Sequence, residues 1–144
     1  MNGASVTVPA TADFVRAASQ FVVQTARYLG VAAAASPLFE VAVVEALANA
    51  VKHGSHGRTD AEITCEIERT GAGLSIRIYD EGAGFTPPPQ PGPVLDAAGG
   101  DITAVPESGY GVPIMQSVFH DIRAHRRDGR FCLELRLGYE LPLT

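Results

Sequence analysis

A chain of 144 residues is about one domain in length, enough to bury a single hydrophobic core. With 46% hydrophobic and 19% charged residues it is globular rather than disordered, and a formal net charge of −5 argues against a general nucleic-acid binder. Arg123, Arg126, Arg127, Arg130 and Arg136 cluster near the C-terminus, and the simplest reading of them is a solvated strand-and-turn surface.

Two cysteines, Cys65 and Cys132, sit in apolar, strand-like runs without metal-ligand spacing, as free core thiols in a reducing compartment would. No basic segment followed by an apolar one opens the chain, and no uncharged run approaches the roughly 20 apolar residues of a membrane span. The expectation is a soluble, cytoplasmic protein without a membrane partner.

In chain order, residues 5–9 alternate weakly as a short first strand. Residues 11–28 read as a helix, with Phe14, Ala18, Phe21, Val22 and Ala26 on one face and Gly30 as its stop. Ser36-Pro37 then starts a second helix, Ser as cap and Pro at the first helical position, and Gly54 ends it. In that helix Leu38, Val41, Val44, Leu47, Ala48 and Val51 recur at helical spacing and are expected to face a core. Ile63, Cys65 and Ile67 alternate with polar neighbours, as do Leu74, Ile76 and Ile78 after the Thr70-Gly71-Ala72-Gly73 turn, giving two strands with one wet face. Residues 86–108 hold six prolines and no regular pattern, which suits a lid or binding loop. Residues 111–121 read as a third helix with Pro113 harmless in its first turn, and residues 122–127 and 130–137 as strands joined by Asp128-Gly129. This order predicts an α+β two-layer sandwich, with three helices on one face of a mixed, mostly antiparallel sheet, in a single domain over residues 1–144.

Three segments carry polar groups where the pattern is otherwise apolar. In Glu45-Ala-Leu-Ala-Asn49-Ala-Val-Lys52-His53-Gly54 the carboxylate and the amide stand one above the other on a helix, a pair able to hold a divalent cation or a polarised water. Alone, such a pair is common on a solvated helix face. The second is Asp80-Glu-Gly82-Ala-Gly84, directly after a strand, whose parity aims Asp80 at the apolar face, where a carboxylate needs a partner or a ligand such as an exocyclic amine. The third, Gly109-Tyr110-Gly111-Val112, opens a helix, where backbone N–H groups can converge on an anion. It lacks the third glycine of a dinucleotide fingerprint and the Gly-Lys-Ser/Thr of a P-loop. His53 and His56 have no third ligand nearby in sequence, which disfavours zinc; His53 either caps its helix or borders a pocket, and His120 and His125 read as surface residues.

In this order the three motifs resemble the Bergerat-type ATP-binding fold of the GHKL superfamily, shared by gyrase-type topoisomerases, heat-shock chaperones, histidine kinases and mismatch-repair ATPases. Within it the chain is most similar to the small serine/threonine kinases that act as anti-sigma factors, through Asn49-Ala50-x-x-His53-Gly54 and the Gly109-x-Gly111-x-x-Ile114-Met115 run. The resemblance implies that Asn49 coordinates the Mg²⁺ bridging the phosphates of ATP and that Glu45 is the general base. By the same resemblance Asp80 reads the adenine amine, with Gly82 and Gly84 giving the base room. Gly109, Tyr110, Gly111 and Val112 cradle phosphate beneath a mobile lid at about residues 86–108. That lid contains no Lys or Arg, so positive charge at the γ-phosphate would come from Lys52 or from Mg²⁺ alone.

The implied function is an Mg-ATP-dependent protein serine/threonine kinase. It would phosphorylate an anti-anti-sigma (antagonist) protein and sequester a sigma factor, with homodimerisation a family trait. The competing reading is a non-catalytic, nucleotide-dependent partner-binding switch of the same fold. A histidine-kinase catalytic domain ranks last, because about ten residues precede the first helix, too few for a helical hairpin bearing an accepting histidine.

Overall fold

A computed structural model describes residues 2–54, 60–82 and 111–138. The elements follow as β1 (Gly3–Pro9), a 3₁₀ turn at Ala12–Phe14, α1 (Val15–Tyr28), a second 3₁₀ turn at Ala32–Ala35, and α2 (Pro37–Gly54). After them come β2 (Glu62–Thr70), β3 (Gly73–Asp80), α3 (Gly111–Val118), β4 (Asp121–Arg127) and β5 (Arg130–Gly138). The strands form one sheet in the order β1-β2-β3-β5-β4. All four pairings are antiparallel, so the sheet is not mixed. The reason is that β4 and β5 form a tight hairpin and only β5 docks on β3; β4, which runs parallel to β3, ends at the sheet edge.

Local chemistry explains where the helices begin and end. Gly30, at φ 83°, lets the N–H of Val31 reach the carbonyl of Ala26 at 3.0 Å and its own N–H reach Arg27 at 3.0 Å, a double bond pattern that closes α1. The Ser36 Oγ accepts the N–H of Leu38 at 3.2 Å, capping α2, while Pro37 takes the first helical position at no cost. Asp128 and Gly129, at φ 55° and 80°, make the two-residue turn between β4 and β5. Gly73, at φ 141°, starts β3 where any Cβ would strike the Leu137 carbonyl of β5.

Alternation puts Ile63, Cys65, Ile67, Leu74, Ile76, Ile78, Leu133, Leu135 and Leu137 on the helix-covered face, where they form the core with residues of α1 and α2. Central in the helical layer, α2 touches both α1 and α3. Phe39 and Phe119 meet at 5.6 Å between centroids, a tilted contact worth about 0.5–1.5 kcal/mol beyond area burial, and it ties α2 to the residue just past α3.

Several expectations shift. The buried stripe of α2 is Phe39, Ala42, Val43, Ala46, Leu47 and Ala50, whereas Leu38 and Val41 are 47% and 42% exposed and Val44, Ala48 and Val51 only half-buried. This helix is apolar nearly all the way round, so periodicity alone cannot choose its face. Phe14 lies in the 3₁₀ turn ahead of α1 and is exposed rather than part of its core face. The third helix stops at Val118, and Asp121 already belongs to β4. Both cysteines are buried and free, but only Cys65 faces the helices; Cys132, opposite Tyr79 and His125, lies on the other face. Among the described residues no helix is long and apolar enough to cross a membrane.

Candidate functional site

The site begins in the last turns of α2. Asn49 is buried, at 7% exposure, yet its amide makes no hydrogen bond to a described residue. No fully sealed side-chain N or O in the described structure lacks a partner, so the Asn49 amide must look out of the packing toward open space. Glu45, one turn earlier, is half-buried and likewise unpaired among described residues. Lys52 and His53, in the last turn, are exposed. A buried amide and a half-buried carboxylate, held on a rigid helix and left for something else to satisfy, have the donor chemistry of an Mg-nucleotide site. Among the described residues no three His, Cys, Asp or Glu side chains are grouped to hold a metal by themselves. A magnesium ion here would therefore share its coordination with phosphate and water, as this ion commonly does.

At the end of β3 the parity reading holds: Asp80 points to the helix side and is 4% exposed. Its Oδ1 accepts the Gly82 N–H at 2.8 Å, which folds Asp80-Glu81-Gly82 into a turn, and the Glu81 carboxylate accepts the N–H of Glu62 at 3.1 Å. Burial pushes the pKa of Asp80 up, and the Gly82 N–H, Arg126, Arg130 and His53 pull it back. His53 lies near enough to the Asp80 carboxylate to act on it. It brings the C-terminal turn of α2 beside the end of β3, and with it Asn49, one helical turn away.

The structure thus gathers Asn49, His53, Asp80 and Gly82 at one end of the molecule, and α3, which begins at Gly111 and includes Val112, packs against α2. Gly84, Gly109, Tyr110 and the expected lid at 86–108 lie outside the described residues. Arg126 is the residue that sequence reasoning missed. Grouped with the other C-terminal arginines as a solvated surface, it is exposed as expected, yet it shares a face with Ile122 and Ala124, and its Nη2 donates to the Gly82 carbonyl at 2.8 Å. The signal was present in the hairpin, because two-residue alternation back from Asp128-Gly129 puts Arg126 on the core side.

Known proteins resemble this arrangement at three levels. The family profile described as "Histidine kinase-like ATPase domain" matches residues 8–137. A curated relative, "Serine-protein kinase RsbW" of Listeria innocua serovar 6a, is 30% identical over 93 residues, which cover 62% of this chain and 58% of that protein. The chain therefore spans a little over half the length of the curated relative it matches. A solved structure of the RsbU and RsbW domains of Rv1364c from Mycobacterium tuberculosis superposes with a TM-score of 0.58 at 14% identity. It covers 94% of this chain and 31% of the other, a likeness of fold.

Proposed function

Because the chain belongs to the family of histidine kinase-like ATPase domains, we propose that it is an Mg-ATP-dependent protein serine/threonine kinase of the anti-sigma factor type. In this reading it forms one domain that phosphorylates an antagonist protein and sequesters a sigma factor. The observation that carries it is the buried Asn49 amide with no described partner, one turn from the histidine beside Asp80. The similarity to a relative named a serine-protein kinase supports the choice of a serine hydroxyl as phosphate acceptor.

In this reading each residue takes one role. Asp80 accepts the exocyclic amine of adenine, and Gly82, with Gly84 two residues on in sequence, gives the base room. Asn49 supplies an oxygen to Mg²⁺, which when bound neutralises phosphate charge. Backbone N–H groups of Gly109, Tyr110, Gly111 and Val112, at and before the start of α3, receive phosphate oxygens. Glu45, half-buried and unpaired among the described residues, takes the proton from an attacking serine or threonine hydroxyl as that oxygen bonds to the γ-phosphorus and ADP departs. Lys52 is the nearest cation in sequence on the same helix turn.

One feature favours a second reading, a nucleotide-dependent switch that binds partners without transferring phosphate: residues 86–108 contain no Lys or Arg to assist the γ-phosphate. Two variants separate the readings. Calorimetric titration of Mg-ATP should show wild-type binding that weakens at least tenfold in Asn49→Ala. Glu45→Ala should still bind Mg-ATP but lose transfer to the antagonist by at least 100-fold. Wild-type binding without any phosphorylated product would select the switch, and no binding to either Mg-ATP or Mg-ADP would remove both readings.

A further inference from the structure

Three side chains form one rung across the end of the sheet on its helix-covered face. Asp80 of β3 stands opposite Phe131 of β5, and Phe131 stands opposite Arg126 of β4. Phe131 is 5% exposed, a buried aromatic between an acid and a cation. Arg126 extends past it to the Gly82 carbonyl at 2.8 Å, while the N–H of the same glycine is taken by Asp80 at 2.8 Å. Gly82 is therefore gripped on both sides of its α-carbon, by the acid of its own strand and by a guanidinium 44 residues away.

Resting on the nucleotide reading above, we propose that Arg126 is a positioning residue of that site: it fixes the Asp80-Glu81-Gly82 turn in the geometry that receives the exocyclic amine of a 6-aminopurine nucleotide. The grip on the carbonyl is charge-assisted, and it reaches the turn from a strand on the far side of β5. Without it, the turn is tied to the rest of the sheet through the Glu81 contact with β2. Arg126 also faces the carboxylate electrostatically. The groups around Asp80 are the Gly82 N–H, Arg126 from β4, Arg130 from β5 and His53 from α2. Arg130 lies over the Tyr79 ring at 5.6 Å on the opposite face of the sheet, so Arg126 is the arginine on the side of the carboxylate itself. Its charge acts against burial in keeping Asp80 ionised, and therefore able to accept N–H bonds through both oxygens.

The test is ATP titration into the full chain from mildly acidic to neutral pH, for wild type, Arg126→Met, Arg126→Lys and Arg123→Met, with unfolding followed at each pH. Arg123 is on the same strand but points to the other face, where it pairs with Asp121 at 2.9 Å. Arg126→Met should bind ATP about tenfold more weakly at neutral pH. Its affinity should also start to fall at a higher pH than that of wild type, because Asp80 gains its proton more readily. Arg126→Lys should return the pH profile toward wild type while recovering only part of the affinity, since an ammonium restores charge without the planar fork. Arg123→Met should match wild type throughout. An Arg126→Met protein with wild-type affinity and an unshifted pH profile would overturn the assignment while leaving the nucleotide site intact. A wild type that binds no adenine nucleotide at any pH would overturn the nucleotide reading, and this assignment with it.

Discussion

On the helix-free face of the sheet, charged side chains answer one another; on the helix-covered face, a carboxylate at the end of β3 is buried and the Asn49 amide bonds to no described residue. Arg77 of β3 binds Glu66 at 3.0 Å and Glu68 at 3.1 Å, lies 3.8 Å from Glu134, and donates to Ser75 at 3.1 Å, while Ser75 donates to Glu134 at 2.7 Å. Tyr79 donates to Glu66 and receives Arg127, and a cleft of about 480 Å³ beside them is walled by these paired groups. Burial works against the Arg77 charge, and its hydrogen bonds to Glu66 and Glu68 more than offset this, so its pKa rises. On the other face, burial wins at Asp80 despite Arg126, Arg130 and His53 nearby, and Asn49 finds no described partner. A fully answered network specifies register and contributes to stability, whereas burying a polar group without its full set of partners costs stability.

Asp80→Asn should sharpen this contrast most. Nucleotide affinity should fall about 10- to 100-fold by calorimetry, because the amide cannot accept through both terminal atoms. Stability should move the other way. With its folded pKa raised, Asp80 holds its proton more tightly in the folded than in the unfolded chain, so its ionised form costs stability above the folded pKa. That cost vanishes as pH falls into the usual carboxylate range. Asp80→Asn should therefore unfold no earlier than wild type at neutral pH, with the two curves converging in acid. A variant that is less stable and binds normally would break the comparison.

Arg77→Met probes the opposite face. It should lower the unfolding free energy by about 1–2 kcal/mol in denaturant titration, a figure reduced for the partial exposure of Glu66 and Glu68, and leave nucleotide affinity unchanged. Smallest of all should be the response of the thiols. Burial pushes Cys65 up to about 12 and Cys132 up to about 11, so both stay protonated at neutral pH. A thiol-specific reagent should label neither in the folded protein and both after unfolding, and early labelling of Cys132 would show that the helix-free face opens locally.

Much of this arrangement was legible in the sequence wherever one local rule sufficed. Two-residue alternation placed Asp80 on the apolar face, Ser36-Pro37 and Gly30 set helix ends, and Asp128-Gly129 set a hairpin. Where two rules competed, or the partner was distant, the sequence was mute. In α2, Leu38 and Val41 offered as good a stripe as Phe39 and Val43, and only packing between α1 and α3 decides between them. Arg126 was hidden because composition grouped it with its neighbours, while its partner is a backbone carbonyl in the turn after β3.

The two edges of the sheet have very different histories in the chain. At one edge, β4 is joined to β5 by two residues, and a hairpin of this kind closes in about 1–10 μs. At the other, β1 meets β2 only after all of α1 and α2 has been gathered in, with Val6 opposite Cys65. Loop-closure entropy must be met before that contact gives anything back, which places β1 among the last elements to dock and the first to fray. The strand bearing Arg126 thus pairs locally with β5, whereas its reach to Gly82, 44 residues away, waits for the hairpin to dock on β3, a closure much like the one that brings β1 to β2.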